Sequence, residues 1–124
     1  MRHEVELEFT SDRFDTTSEL PPEDNAGNRF YGRDVAELVA NGLGGSYFDE
    51  DWGWQTHAVR PDGAVLEVSV YHDGGDDWRL LLRRLEKRRF LPAREVPLAD
   101  DDVAALVDVF ARAGIEFRPG SPEV

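Results

Sequence analysis

Four stretches of the chain alternate between polar and apolar residues with a period of two, and three of them are separated from one another only by tight-turn residues. His3, Val5, Leu7 and Phe9 interleave with Glu4, Glu6 and Glu8. Trp52, Trp54, Thr56 and Ala58 share one face of a second run, with Gln55, His57 and Val59 on the other. Arg60-Pro61-Asp62-Gly63 then turns the chain into a third run, where Ala64, Leu66, Val68 and Val70 alternate with Val65, Glu67, Ser69 and Tyr71. A second turn, Asp73 to Asp77 around Gly74-Gly75, leads to Trp78, Leu80 and Leu82 alternating with Arg79, Leu81 and Arg83. A period of two sends successive side chains to opposite faces of a strand. Connections this short join antiparallel neighbours only. The chain is therefore committed to an antiparallel sheet with one apolar face, and the strand from Trp78 is expected to fray into the basic stretch Arg83 to Arg89.

An apolar face must be covered, and two helical patterns supply the cover. Val35, Leu38, Val39 and Leu43 repeat at helical spacing from a start near Asp34 until Gly42, Gly44 and Gly45 stop them. Val103, Leu106, Val107 and Phe110 repeat after Leu98-Ala99-Asp100-Asp101-Asp102, an acidic first turn favoured by the helix dipole, and Gly114 ends the element. Ile115 to Phe117 reads as a short edge strand. The expected fold is α+β: an antiparallel sheet of three to five strands with two helices on one face, in the order β-α-β-β-β-α, a two-layer sandwich. Residues 1–124 read as one domain with a mobile loop at 10–31 and a flexible tail at 118–124.

Length and composition narrow the function. At 124 residues, a single core burying about 65 to 70% of the unfolded surface is expected. No apolar run approaches the roughly 20 residues that span a bilayer. The start, MRHEVELEF, reads as a strand and not as a secretory signal. The chain has no cysteine, which excludes disulfides, thiolate zinc sites and cysteine nucleophiles, and fits a cytoplasmic location.

The formal charge is −12. Such a field repels nucleic acid and anionic membranes and attracts basic partners. Its distribution is uneven: residues 79–96 hold seven of the 14 basic residues and two of the 26 acids. Arginine accounts for 13 of those 14. The segment from Arg79 to Arg94 reads as a ladder pairing with Glu67 or with Glu4, Glu6 and Glu8, and not as a phosphate-binding surface.

Chemistry-bearing motifs are few. No G-x-S-x-G, phosphate loop or dinucleotide fingerprint occurs. His57, His72, Asp73, Asp76 and Asp77 are ligand types without ligand spacing. No catalytic, cofactor or metal residue is nominated. The remaining candidate is the cluster Asp49-Glu50-Asp51-Trp52-Gly53-Trp54. Its two indoles offer area and its three carboxylates offer pairing to a basic partner, so Asp49, Glu50, Asp51, Trp52 and Trp54 are the predicted partner-binding residues. The competing reading places both indoles on one face as core, with the acids merely solvated.

N-R-F-Y-G-R-D-V-A-E-L at 28–38 and E-D-W-G-W at 50–54 together resemble a group of small bacterial proteins with an NRFYG…EDWGW pattern. That likeness implies a bacterial stand-alone domain and carries no catalytic role. In size, charge and fold class the chain is also similar to the acidic immunity proteins and antitoxins with which bacteria block toxins. The expectation is a cytoplasmic inhibitor of a basic protein. Two alternatives remain open: a small enzyme or ligand-binding domain with a pocket between the 10–31 loop and the Trp52-Trp54 strand, and a module that self-associates as a homodimer.

Overall fold

A computed structural model describes residues 3–20 and 30–118. Its elements are β1 (Glu4–Thr10), α1 (Arg33–Leu43), β2 (Ser46–Glu50), β3 (Gly53–Val59), β4 (Val65–Gly74), β5 (Asp77–Arg88), β6 (Leu91–Val96) and α2 (Asp100–Arg112). The strands form one antiparallel sheet in the order β1-β5-β4-β3-β2. β6 continues the β1 edge, because β1 pairs with Asp77 to Arg83 of β5 and β6 pairs with Arg84 to Arg88. The tail beyond Arg118 and residues 21–29 of the expected mobile loop lie outside the described residues.

The α+β class and the two layers are as the alternation implies. Among the described residues the sheet has six strands, two of which the pattern did not reveal. β2 is an edge strand with neither face fully buried, so its sequence, SYFDE, carries no period-two signal. β6 contains Pro92, which is compatible only with an edge. Arg83 to Arg88, expected to fray, stay in β5 because β6 pairs with them. Ile115 to Phe117 form no strand. They pack instead, with Ile115 buried and Phe117 against Phe9 and Phe110, and Arg118 N donates to Glu8 O at 2.8 Å.

Register fixes which side chains share a face. Leu7 opposes Leu80, Leu80 opposes Val70 and Val70 opposes Trp54. That row and its neighbours Phe9, Trp78, Leu82, Val68 and Leu66 face both helices, whose Val35, Val39, Leu106 and Phe110 complete the buried core, with Leu7 and Trp54 partly buried at its margin. Thr56 is the polar member, and its hydroxyl donates to Ala36 O at 3.1 Å, fixing α1 over β3. Among the described residues no helix is long and apolar enough to cross a membrane.

The α2 start is anchored by charge. Asp102, 1% exposed, accepts from Ala99 N at 2.9 Å, Arg60 Nε at 3.0 Å and Arg84 Nη1 at 3.0 Å. Its carboxylate thus caps the helix and ties it to the β3–β4 turn and to β5. Asp62 completes the group through Arg84. Burial alone would lower the Arg84 pKa, but its bonds to Asp102 and Asp62 outweigh that and hold it above the ordinary value.

Candidate functional site

Because α1 and α2 cover one face, the other face of the sheet has no helical layer among the described residues. Register places Glu6, Arg79, Leu81, Arg83, Glu67, Ser69, Tyr71, Gln55, His57 and Phe48 there. These side chains divide into two groups of different character.

The first group is a closed polar network. Arg83 donates to Glu67 Oε1 through Nη2 at 2.7 Å and through Nε at 2.8 Å, and reaches Glu95 Oε1 at 3.1 Å. His57 Nε2 lies 3.0 Å from Gln55 Oε1 and 3.4 Å from Glu67 Oε2. Both of those atoms are acceptors, so Nε2 carries the proton. Gln55 Nε2 in turn donates to Ser69 Oγ at 3.1 Å. Glu67 is 6% exposed even though no described helix lies above it. Burial by itself lowers the Arg83 pKa, and the bonds and charges of Glu67 and Glu95 more than reverse that. The network aligns β3 to β6, and its carboxylates are already engaged. This is the cross-strand ladder that the alternating arginines imply.

The second group is aromatic. Trp52 stacks on Tyr71 with ring centroids 5.0 Å apart and planes 28° from parallel. Arg79 Cζ sits 4.4 Å from the centroid of Tyr71 while its nitrogens reach Glu6 at 3.1 Å and Asp73 at 3.3 Å. Burial works against the charge on Arg79, but those two carboxylates raise its pKa overall. The result is a layered platform of indole, phenol and guanidinium, the guanidinium held in place by its ion pairs with Glu6 and Asp73.

The cluster at residues 49–54 is therefore divided, which corrects the expectation that the two indoles share a face. β2 ends at Glu50 and β3 begins at Gly53, so Asp51 and Trp52 form a two-residue turn and the strand alternation does not extend to Trp52. Trp52 turns to the uncovered face with Tyr71. Trp54, opposite Val70, faces the helices, and its Nε1 donates to Phe30 O at 2.8 Å. Gly53 makes the split possible, since a Cβ there would lie 2.6 Å from Val70 O. Asp49 sits opposite Trp54 at the helix side of the edge strand; Glu50 is half-exposed and Asp51 exposed beside Trp52.

Trp54 also walls a cleft of about 280 Å³ together with Asp15, Phe30, Tyr31, Asp34 and Glu37. Tyr31 Oη donates to Ser18 O at 2.7 Å, and Asp34 accepts from Asp15 N at 2.8 Å, so the 11–20 segment is fastened to the α1 start. Asp15 accepts from Thr17 and Ser18, which lowers its pKa, the Ser18 side chain contributing most. Arg33 at the same end is held above its ordinary pKa chiefly by a hydrogen bond with Tyr47.

His57 and His72, considered as metal ligands, are separated. His57 joins the Glu67 network and His72 Nε2 contacts Gly75 O at 2.8 Å beside Trp78. Among the described residues no group of three or more His, Asp or Glu side chains is arranged to hold a metal ion. Tyr71 and Arg79 escaped the sequence reading as site residues, although both occupy outward slots of strongly alternating strands. What singles them out is register with the Trp52 turn, which no local pattern encodes. Compared with known protein families, curated proteins and solved structures, the chain matches none.

Proposed function

We propose that the protein binds a basic protein partner through the Trp52-Tyr71 corner of its uncovered sheet face, in the manner of a cytoplasmic bacterial inhibitor of the immunity or antitoxin type. The observation that carries this reading is the placement of Trp52. It stacks on Tyr71 on the face that no described helix covers, directly after Glu50 and Asp51 in the chain, and Tyr71 carries Arg79 with its partner Asp73. A rigid aromatic pair provides the desolvated centre of an interface, and a rim of carboxylates selects a cationic partner and speeds its approach. The net charge of −12 supports the same choice of partner at longer range.

Capture from lysate of the source organism, at low and at high salt, tests the reading. The bait is the native chain beside two variants, Trp52→Ala and the triple change of Asp49, Glu50 and Asp51 to amides. One basic protein that the native chain retains at low salt, and that both folded variants lose, is the expected outcome. Retention by Trp52→Ala at native strength refutes the proposed corner.

A further inference from the structure

The β5–β6 hairpin tip has properties that the fold does not explain. Phe90 is 91% exposed and its φ is 64°, the left-handed region in which a bulky residue is an outlier. Leu91 beside it is 57% exposed. Lys87, Arg88 and Arg89 are exposed, and Lys87 and Arg89 have no ion-pair partner among the described residues. The Arg89 guanidinium lies 5.0 Å from the centroid of Phe90. A strained, uncovered aromatic surrounded by cations, on a chain of charge −12, is the inverse of the rest of the surface.

We propose that this tip docks, Phe90 first, into the α1 cleft of a second copy of the same chain. The cleft has the complementary chemistry. Phe30, Tyr31 and Trp54 supply aromatic walls, and Asp15, Asp34 and Glu37 supply three carboxylates against the single cation Arg33, in a space of about 280 Å³. Phe90 enters against the rings while Arg89 and Lys87 meet the carboxylates.

The contact is made in trans. Gly32 at the cleft lies against Trp78, the second residue of β5, as a Cβ on Gly32 would stand 3.5 Å from that indole. Arg88 ends the same strand, about 33 Å away at the usual rise per residue. A tip and a cleft at opposite ends of one strand cannot meet within a copy. They do meet between copies, head to tail, which makes the interface heterologous and able to extend into chains or close into rings. Polyanions are the other chemistry a basic, apolar tip fits, and the acidic remainder of the surface opposes them.

Light scattering after gel filtration, over a range of concentrations and at low and high salt, tests this with the full chain. The native protein is expected to gain mass with concentration and lose it with salt. Phe90→Gly, which removes a 91% exposed ring that lies against Arg89, and Glu37→Arg, on the exposed side of α1, should each raise the dissociation constant at least tenfold while staying folded. An equimolar mixture of the two should form a heterodimer and stop there, because only one intact tip and one intact cleft remain to meet. Trp52→Ala should associate as the native chain does, which separates this contact from the proposed corner. A native protein that is monomeric throughout overturns the proposal. So does a Phe90→Gly variant that associates normally, or a mixture that stays monomeric. Phe90-dependent binding to phosphatidylserine vesicles by a monomeric native protein assigns the tip to an anionic surface instead.

Discussion

Two hairpins of this sheet are built alike and used differently. In each, a two-residue turn joins antiparallel strands and places an aromatic residue second: Asp51-Trp52 between β2 and β3, Arg89-Phe90 between β5 and β6. In each, the aromatic has charged neighbours, acidic in the first and basic in the second. Trp52 lies back on Tyr71 with a negative φ, whereas Phe90 projects into solvent with a positive one. The difference shows that an aromatic turn residue is not by itself a site or a plug. What it packs on decides, and only the second hairpin leaves its ring without a structural role.

The largest test of the contrast is at the residue after each turn. Gly53→Ala should cost about 3 kcal/mol in urea unfolding, because the added carbon would stand 2.6 Å from the Val70 carbonyl, a backbone atom that cannot move without its strand. Leu91→Ala, at the equivalent position of the other hairpin, should change stability by less than about 0.5 kcal/mol. Equal losses at the two positions would show that both tips are packed against the body.

Trp52→Ala follows in size, at about 1 to 2 kcal/mol, the worth of a half-buried stacked pair with some apolar area. Phe90→Gly runs in the opposite direction. Removing a side chain from the left-handed region should stabilise the fold by about 0.5 to 1 kcal/mol, since relief of strain exceeds the added flexibility of glycine. Thermal unfolding of the two variants measures both signs at once. At concentrations where the native chain is monomeric, a destabilised Phe90→Gly would mean that the ring contributes to the folded monomer.

The sequence conveys these two hairpins unequally as well. Alternation from Trp54 to Arg83 sets β3, β4 and β5 in register, so the outward placement of Glu67, Arg79 and Arg83 follows from parity alone. Trp52 defeats parity because a turn interrupts it, and a turn without glycine or proline at its centre leaves no local mark. Phe90 is missed for a related reason. Its position is one that glycine or asparagine normally fills, so the sequence indicates a strand fading into charge where the chain in fact reverses. The partners of Asp102 are legible only in part: its place in the first turn of α2 is evident, but Arg60 and Arg84 are brought to it by register and not by spacing.

The smallest effect uses a third turn as a reference. Between β3 and β4, Asp62 accepts from Ala64 N at 3.0 Å and pairs with Arg84. Those contacts, the Ala64 bond first, lower its pKa below the ordinary 3.8. A depressed carboxylate stabilises the fold above its unfolded pKa, and that contribution is lost as pH falls through the folded value. The stability gap between the native chain and Asp62→Asn should therefore be full at pH values above 3.8 and shrink below it. Because Asp62 is exposed, the gap should be small. The difference between the native chain and Phe90→Gly should not move over the same range, because a backbone dihedral and a ring have no proton to gain. Urea unfolding of all three chains across the acid range, at concentrations where the native chain is monomeric, compares a turn tied by charge to β5 with one whose ring meets only its own hairpin among the described residues. If the Phe90→Gly difference moved in step with Asp62→Asn, the tip would be tied electrostatically to the body, and its contrast with the Trp52 turn would be lost.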